Sequence, residues 1–257
     1  MKNILNQFFK ILPKSSFKNK IWCIYHNIFF SKKNNFKVHF KKHFIVNFND
    51  FSLILHKNFY KDLVCVNGYL KNYKPKKGDI VIDAGAYVGT FTLISSKRVG
   101  DEGKVIAFEP DEENYKILSD YINLNKINNI ILVKKGLWSK NTTLKFNNIH
   151  SGYSSLFFDE NKTNDIISVP VVTLDTELEK LNIKKIDFLK MDIEGAEIEA
   201  IKGAKKTLKN NTANLAIASY HILDGEKTHF KLEKMLQKLG YKTETSFLQH
   251  LTTYANK

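Results

Sequence analysis

Beyond residue 78 the chain alternates short apolar runs with amphipathic stretches, and the two periods predict strands and helices in turn. Asp79-Ile-Val-Ile-Asp83 is the kind of run that a parallel sheet buries on both faces. A glycine loop follows, and residues 90–99 predict a helix stopped at Gly100. Lys104-Val-Ile-Ala-Phe-Glu109 predicts a second strand. Acids at 111–113 then open a helix at its positive end, with Tyr115, Leu118, Tyr121 and Ile122 on one face. Residues 130–133 predict a third strand, and 142–146 and 168–174 predict extra strands around a polar loop. The rhythm resumes at 186–193. The next helix carries Glu194, Glu197 and Glu199 early and Lys202, Lys205, Lys206 and Lys209 late. After a strand at 215–220 and a helix at 226–239, two closely spaced strands, 241–247 and 251–254, end the pattern. The fold class expected is α/β: a doubly wound, mostly parallel sheet whose terminal hairpin sets an antiparallel strand at one edge.

The first third reads differently. Ile4, Leu5, Phe8, Phe9, Leu12, Phe17, Ile21, Trp22, Ile24, Tyr25 and Ile28 recur at helical spacing with lysines between them, and residues 36–48 and 51–56 alternate like a β-hairpin. His39, His43 and His56 lie on that hairpin with no cysteine or carboxylate set beside them, so surface or packing roles are expected. Charge sharpens the division. The net charge is +14, and residues 1–77 hold 16 lysines against Asp50 and Asp62, so the remaining 180 residues are neutral overall. The expected division is a basic extension, 1–77, of amphipathic helices plus a β-hairpin, and a main domain, 78–257. Two readings of the extension stay open. Its helices cover the main domain with one apolar face, or they lie on an anionic membrane surface as a peripheral contact at the inner face.

Only Arg98 among the 40 cations is arginine, the usual reader of guanine edges, so no sequence-specific nucleic acid partner is expected. The start of the chain lacks the continuous apolar stretch of a signal peptide, and no apolar run is long enough to cross a bilayer. With Cys23 and Cys65 the only cysteines and no metal-ligand spacing around them, reduced thiols and a cytoplasmic location are the expectation.

Ligands of such sheets sit outside the carboxyl ends of the strands, where the strand order reverses. The first strand of the alternating region ends Val81-Ile-Asp83-Ala-Gly85-Ala-Tyr87-Val-Gly89-Thr-Phe91. Its glycines allow a tight turn with backbone amides against a ligand, and Asp83 at the strand end suits a cationic group such as an ammonium. Glu109, at the tip of the next strand, can accept hydrogen bonds from both hydroxyls of a ribose. The loop lacks the Gly-x-Gly-x-x-Gly of dinucleotide enzymes and the Gly-Lys-Ser/Thr of a P-loop. Asp192, in Lys190-Met-Asp192-Ile-Glu194-Gly195-Ala-Glu197, adds a third acid at the same edge.

These three blocks, with Val105-Ile-Ala-Phe-Glu-Pro-Asp111 as the second, resemble in sequence, order and spacing the signature blocks of FkbM-type methyltransferases, class I enzymes dependent on S-adenosylmethionine. The resemblance covers roughly 78–257. It implies a Rossmann-like class I fold, with Asp83, Gly85, Tyr87 and Gly89 around the methionine end of the cofactor. Glu109 would take its ribose, Gly136 and Leu137 its adenine, and Asp192 would stand near the methyl-transfer centre. Residues 151–156 resemble a serine-bearing loop of the family bordering the acceptor. A small-molecule or glycan hydroxyl is the expected acceptor. Asp192, Glu194 and His221 are the candidate bases, His221 because it ends a strand that should aim it at the cleft, where a histidine can titrate near neutral pH, and His150 in the polar loop is a weaker candidate. No Asp-Asn pair follows the fourth central strand, so no metal is expected. The rivals are an N-methyltransferase of the same fold, a nicotinamide-dependent oxidoreductase, and a basic module that binds RNA or membrane through 1–77.

Overall fold

The computed structural model describes residues 16–56, 60–147, 166–223, 225–248 and 250–257. The apolar positions 4–12, His150 and the loop 151–156 lie outside the described residues. The basic first third comprises α1 (Ser16–Phe29), a short α2 (Ser31–Asn34), β1 (Lys37–Phe40), β2 (Phe44–Asn47), β3 (Ser52–Leu55) and α3 (Tyr60–Tyr69). The run 36–48, expected as one strand of a hairpin, is split by a turn at the exposed Lys41-Lys42, so the result is a three-stranded antiparallel meander. Alternation aims Val38, Phe44, Val46, Leu53 and Leu55 into one core.

The main sheet is built from β4 (Ile80–Ala84), β5 (Lys104–Phe108), β6 (Ile130–Val133), β10 (Phe188–Met191), β11 (Asn214–Ala218), β14 (Lys242–Phe247) and β15 (Leu251–Asn256), in the order β14-β15-β11-β10-β4-β5-β6. Pairing is parallel from β6 through β11 and antiparallel on both sides of β15. The expected terminal hairpin is therefore present. Its reversed strand, β15, lies one position in, with β14 closing the edge. The chain runs outward one way through β4, β5 and β6 and the other way through β10 and β11, so the order reverses between β4 and β10. A side sheet of β7 (Gly136–Leu137), β8 (Thr142–Asn147) and β9 (Ile166–Val172) flanks the main one.

Helices α4 (Thr90–Val99), α5 (Glu112–Leu124), α6 (Leu174–Lys180), α7 (Glu197–Lys202), α8 (Lys205–Asn210) and α9 (His229–Lys238) cover the sheet, and β12 (Ile222–Leu223) and β13 (Glu226–Lys227) form a small ribbon before α9. Asp111 caps α5 by accepting from the Asn114 N–H at 2.9 Å. The single helix expected after Glu194 is two. Glu194 sits in a turn, and Gly203 parts α7 from α8 where an added Cβ would lie 2.0 Å from the Trp138 carbonyl oxygen. Successive sheet residues feed two cores. Ile82, Ile106, Leu189 and Met191 face one, while Val81, Val105 and Phe188 face the other, which also takes in the meander core and Leu63 and Val66 of α3. Asn125 ties the meander down: it accepts from the Ile54 N–H at 2.7 Å and donates to the Ile54 carbonyl at 2.9 Å. No helix among the described residues is long and apolar enough to cross a membrane.

Candidate functional site

The strand tips at the reversal point carry the site. After β4 the chain turns sharply through Gly85 (φ 78°), Tyr87 (φ 53°) and Gly89 (φ 88°) into α4. Gly85 is obligatory there, because a Cβ would lie 1.9 Å from the Asp192 carbonyl oxygen of the adjoining strand tip. The N–H groups of Gly85 and Ala86 donate to the Phe108 carbonyl at 3.1 and 2.9 Å, and Asp192 N–H donates to the Ala84 carbonyl at 3.0 Å, so three strand tips are stitched together.

Glu109 completes the stitch. Its Oε2 accepts from the Tyr87 N–H at 2.6 Å and its Oε1 from the Asp111 N–H at 3.0 Å. Burial pushes this carboxyl up to about 7, against the pull of those backbone donors. Each oxygen keeps an acceptor lone pair. Tyr87 is 41% exposed on the loop. Its left-handed backbone and that of Glu194 (φ 55°) each cost about 1–2 kcal/mol, and the two strained residues stand on either side of the reversal point.

Asp83 does not face the cleft as expected. It is wholly buried, and its register partner on β10 is Lys190. The two side chains therefore share a sheet face. Lys190 Nζ lies 3.0 Å from Asp83 Oδ1 and donates to the Gly85 carbonyl at 2.6 Å, while Thr92 donates to Asp83 Oδ2. The cation expected for Asp83 is thus supplied by the protein. Leu137, expected against adenine, is 2% exposed. Pairing of β7 with β9 turns it into the core beside Val172 and Leu174.

Asp192 and Glu194, both candidate bases, lie 3.9 and 3.4 Å from the same His221 nitrogen and are partly open to solvent. Tyr69 donates to Asp192 Oδ2 at 2.6 Å and Tyr220 to Oδ1 at 3.2 Å. Burial, then the Asp192 charge, raises both phenols, so they remain donors. Glu197, fully buried, accepts from the N–H groups of Ile193 and Gly195 at 3.0 and 3.3 Å and fixes the turn that carries Glu194.

His221 is brought to this cluster, but not as a base. Its Nδ1 lies 3.2 Å from Glu197 Oε1 and its Nε2 3.4 Å from Glu194 Oε2. Burial disfavours its charge, yet the Glu194 and Glu197 carboxylates outweigh burial and hold its pKa at about 10. It is an imidazolium at neutral pH, which corrects the expectation of a base titrating near 7. Asp192, Glu197 and His221 offer one ligand atom each within 4.8 Å of one another, a set that could hold a metal ion once His221 loses its proton. That proton is tightly held.

Tyr69, Tyr220, Lys190, Glu197 and His250 are site residues that the sequence reading missed. Tyr69 ends α3, inside the segment assigned to the extension. His250, from the β14–β15 connection, lies with its ring tilted 4.6 Å from the Tyr69 ring, and burial lowers its pKa. Only Lys190 and Glu197 had a signal, their place in the Lys-Met-Asp-Ile-Glu-Gly-Ala-Glu block.

A doubly wound sheet with one reversed strand near its edge, a glycine turn after its central strand and acids at three adjoining tips is the architecture of class I methyltransferases. The model of the methyltransferase FkbM domain matches residues 83–243, more than half of the chain, and the chain belongs to that family. It is 28% identical over 192 residues to methyltransferase sdnD of Sordaria araneosa, spanning 63% of this chain and 73% of that protein. It is 24% identical over 147 residues to the hexuronic acid methyltransferase AglP of Haloferax volcanii, spanning 57% of each. The crystal structure of methyltransferase FkbM from Methylobacillus flagellatus shares the fold, with a TM-score of 0.53 at 18% identity over 72% of this chain and 45% of that one.

The His221 environment has a measurable consequence. Its folded pKa is raised from 6.5 to about 10, so its stabilising contribution is full below pH 6.5 and is lost as pH rises through 10. Thermal melts of the wild type and His221→Gln should therefore differ most near pH 6 and converge above pH ~10. A difference that grows with pH would contradict the charged state.

Proposed function

We propose that this chain transfers a methyl group from S-adenosylmethionine to a hydroxyl of a small molecule or glycan. The observation that carries the reading is Asp192. Its carboxylate is held by two tyrosine hydroxyls and its backbone packs on Gly85 of the loop that Glu109 anchors. Family membership supports the donor, and so does the chemistry of the tips. Glu109 keeps two lone pairs for the ribose hydroxyls, and the turn from Gly85 to Gly89, with Tyr87 exposed upon it, borders the place for the methionine end.

Bound there, S-adenosylmethionine supplies a methyl carbon that is already electrophilic. The protein's own part is alignment and proton removal. Tyr69 and Tyr220 fix the Asp192 carboxylate, which takes the acceptor's proton as the oxygen attacks. His221 is protonated and Glu194 is paired to it, so neither serves as the base. Their role is to hold the turn that follows Asp192. An amine is nucleophilic once neutral, whereas a hydroxyl needs a base, and a carboxylate at the transfer point favours the hydroxyl. The glycan class is supported by the similarity to AglP, named for hexuronic acid.

Turnover of methyl-labelled S-adenosylmethionine with uronic-acid-bearing glycans, neutral glycans and small alcohols tests the reading. Asp192→Asn should lower kcat about 10²–10⁴-fold, with a much smaller change in affinity for S-adenosylhomocysteine. Unchanged kcat, or transfer to amines alone, would overturn it. Binding should also depend on Glu109. Ribose hydroxyls favour its ionised form, so affinity for S-adenosylhomocysteine should weaken as pH falls through 7, approaching roughly tenfold per unit. Glu109→Gln should bind weakly and lose that slope.

A further inference from the structure

Helix α1 has two apolar faces. One packs inward: Cys23 and His26 are 4% and 1% exposed, and the His26 ring stacks 5.0 Å from Phe36 beside β1. On the other side Phe17, Ile21, Ile24 and Ile28 recur at i, i+4, i+7 and i+11, an arc of about 60° at 100° per residue. Phe17, Ile24 and Ile28 are 67%, 60% and 69% exposed, and Phe29 beside them is 61% exposed. A helix whose inner face already meets the core gains nothing within the fold from a second stripe. Three large side chains left in water along one line are a surface feature in need of an occupant.

Charge selects that occupant. Lys20 on α1, Lys32 after it, and Lys37, Lys41 and Lys42 on the meander are exposed around the same unit, within a segment of 16 lysines and two acids. A second copy would bring an equally basic surface against this one and repel it. An apolar stripe on a unit with a large excess of lysine matches the boundary of a bilayer with anionic headgroups: the isoleucines and phenylalanines enter the acyl edge while ammonium groups of the unit meet the phosphates.

We propose that α1, through Phe17, Ile24, Ile28 and Phe29 together with Lys20 and the exposed lysines of the meander, docks the protein onto an anionic lipid surface, with the strand-tip site carried on the membrane-held body. The proposal is independent of the reaction assigned to the cleft.

The test is flotation of the full chain with phosphatidylcholine vesicles, with and without phosphatidylglycerol, at low and high salt. The wild type should partition onto the anionic vesicles at least about tenfold better than onto neutral ones, and less at high salt. Ile24→Gln/Ile28→Gln changes exposed positions only. Checked for an unchanged melting temperature, it should partition about tenfold more weakly onto the anionic vesicles. Lys41→Glu/Lys42→Glu should lose part of the preference for anionic lipid while the stripe remains. Equal partition onto both vesicles, or wild-type partition by the isoleucine variant, would overturn the proposal. A dimer in light scattering that the isoleucine variant abolishes would also overturn it and assign the face to a second copy.

Discussion

Beneath the candidate site one cation holds the reversal point together. Lys190 on β10 reaches across to Asp83 on β4 and to the carbonyl of Gly85 above it, with the rings of Tyr69 and Phe91 at 5.4 and 5.9 Å. Both partners are buried, so their desolvation costs several kcal/mol each, and the pair persists because every charge has a near neighbour of opposite sign or a donor. Removing either partner alone would strand a charge in the core. The net worth of the pair to stability is small. Its effect is geometric, since it fixes the first residues of the glycine turn relative to the strand that ends in Asp192.

The rest of the site follows from that register. With Gly85 packed on the Asp192 carbonyl, Glu109 can reach the Tyr87 N–H, and its burial beside the turn raises its pKa. On the other strand tip, Glu197 gathers the N–H groups of the turn and pairs with His221, which also faces Glu194. The site is thus divided. One side has a carboxyl held by backbone donors, its pKa raised by burial to about 7, with lone pairs suited to hydroxyl groups. The other has a carboxylate between two phenols, backed by an imidazolium. That division matches a reaction in which one molecule is gripped and a second loses a proton.

The strand tips were legible because each is a short apolar run ending in an acid, and Glu109 and Asp192 stand where that pattern puts them. The inward turn of Asp83 was not legible, since its cation depends on the β4–β10 register, which no local pattern states. His221 was found but misjudged. Its position ends a recognisable strand, whereas its charge is set by Glu197, which read as an ordinary acid in the first turn of a helix. Tyr69 and His250 were invisible because they come from α3 and a hairpin connection with no motif. The charge break at 77 even assigned α3 to the other side of the boundary. The meander was mistaken for a hairpin for a related reason: two lysines in an alternating run do not interrupt its period.

The structure of the protein with S-adenosylhomocysteine bound tests the central claim most directly. The account predicts the ribose hydroxyls on the Glu109 carboxylate and the sulfur beside Asp192, with Lys190 still paired to Asp83. A nucleoside seated elsewhere on the sheet, or one that touches neither Glu109 nor Asp192, would contradict it.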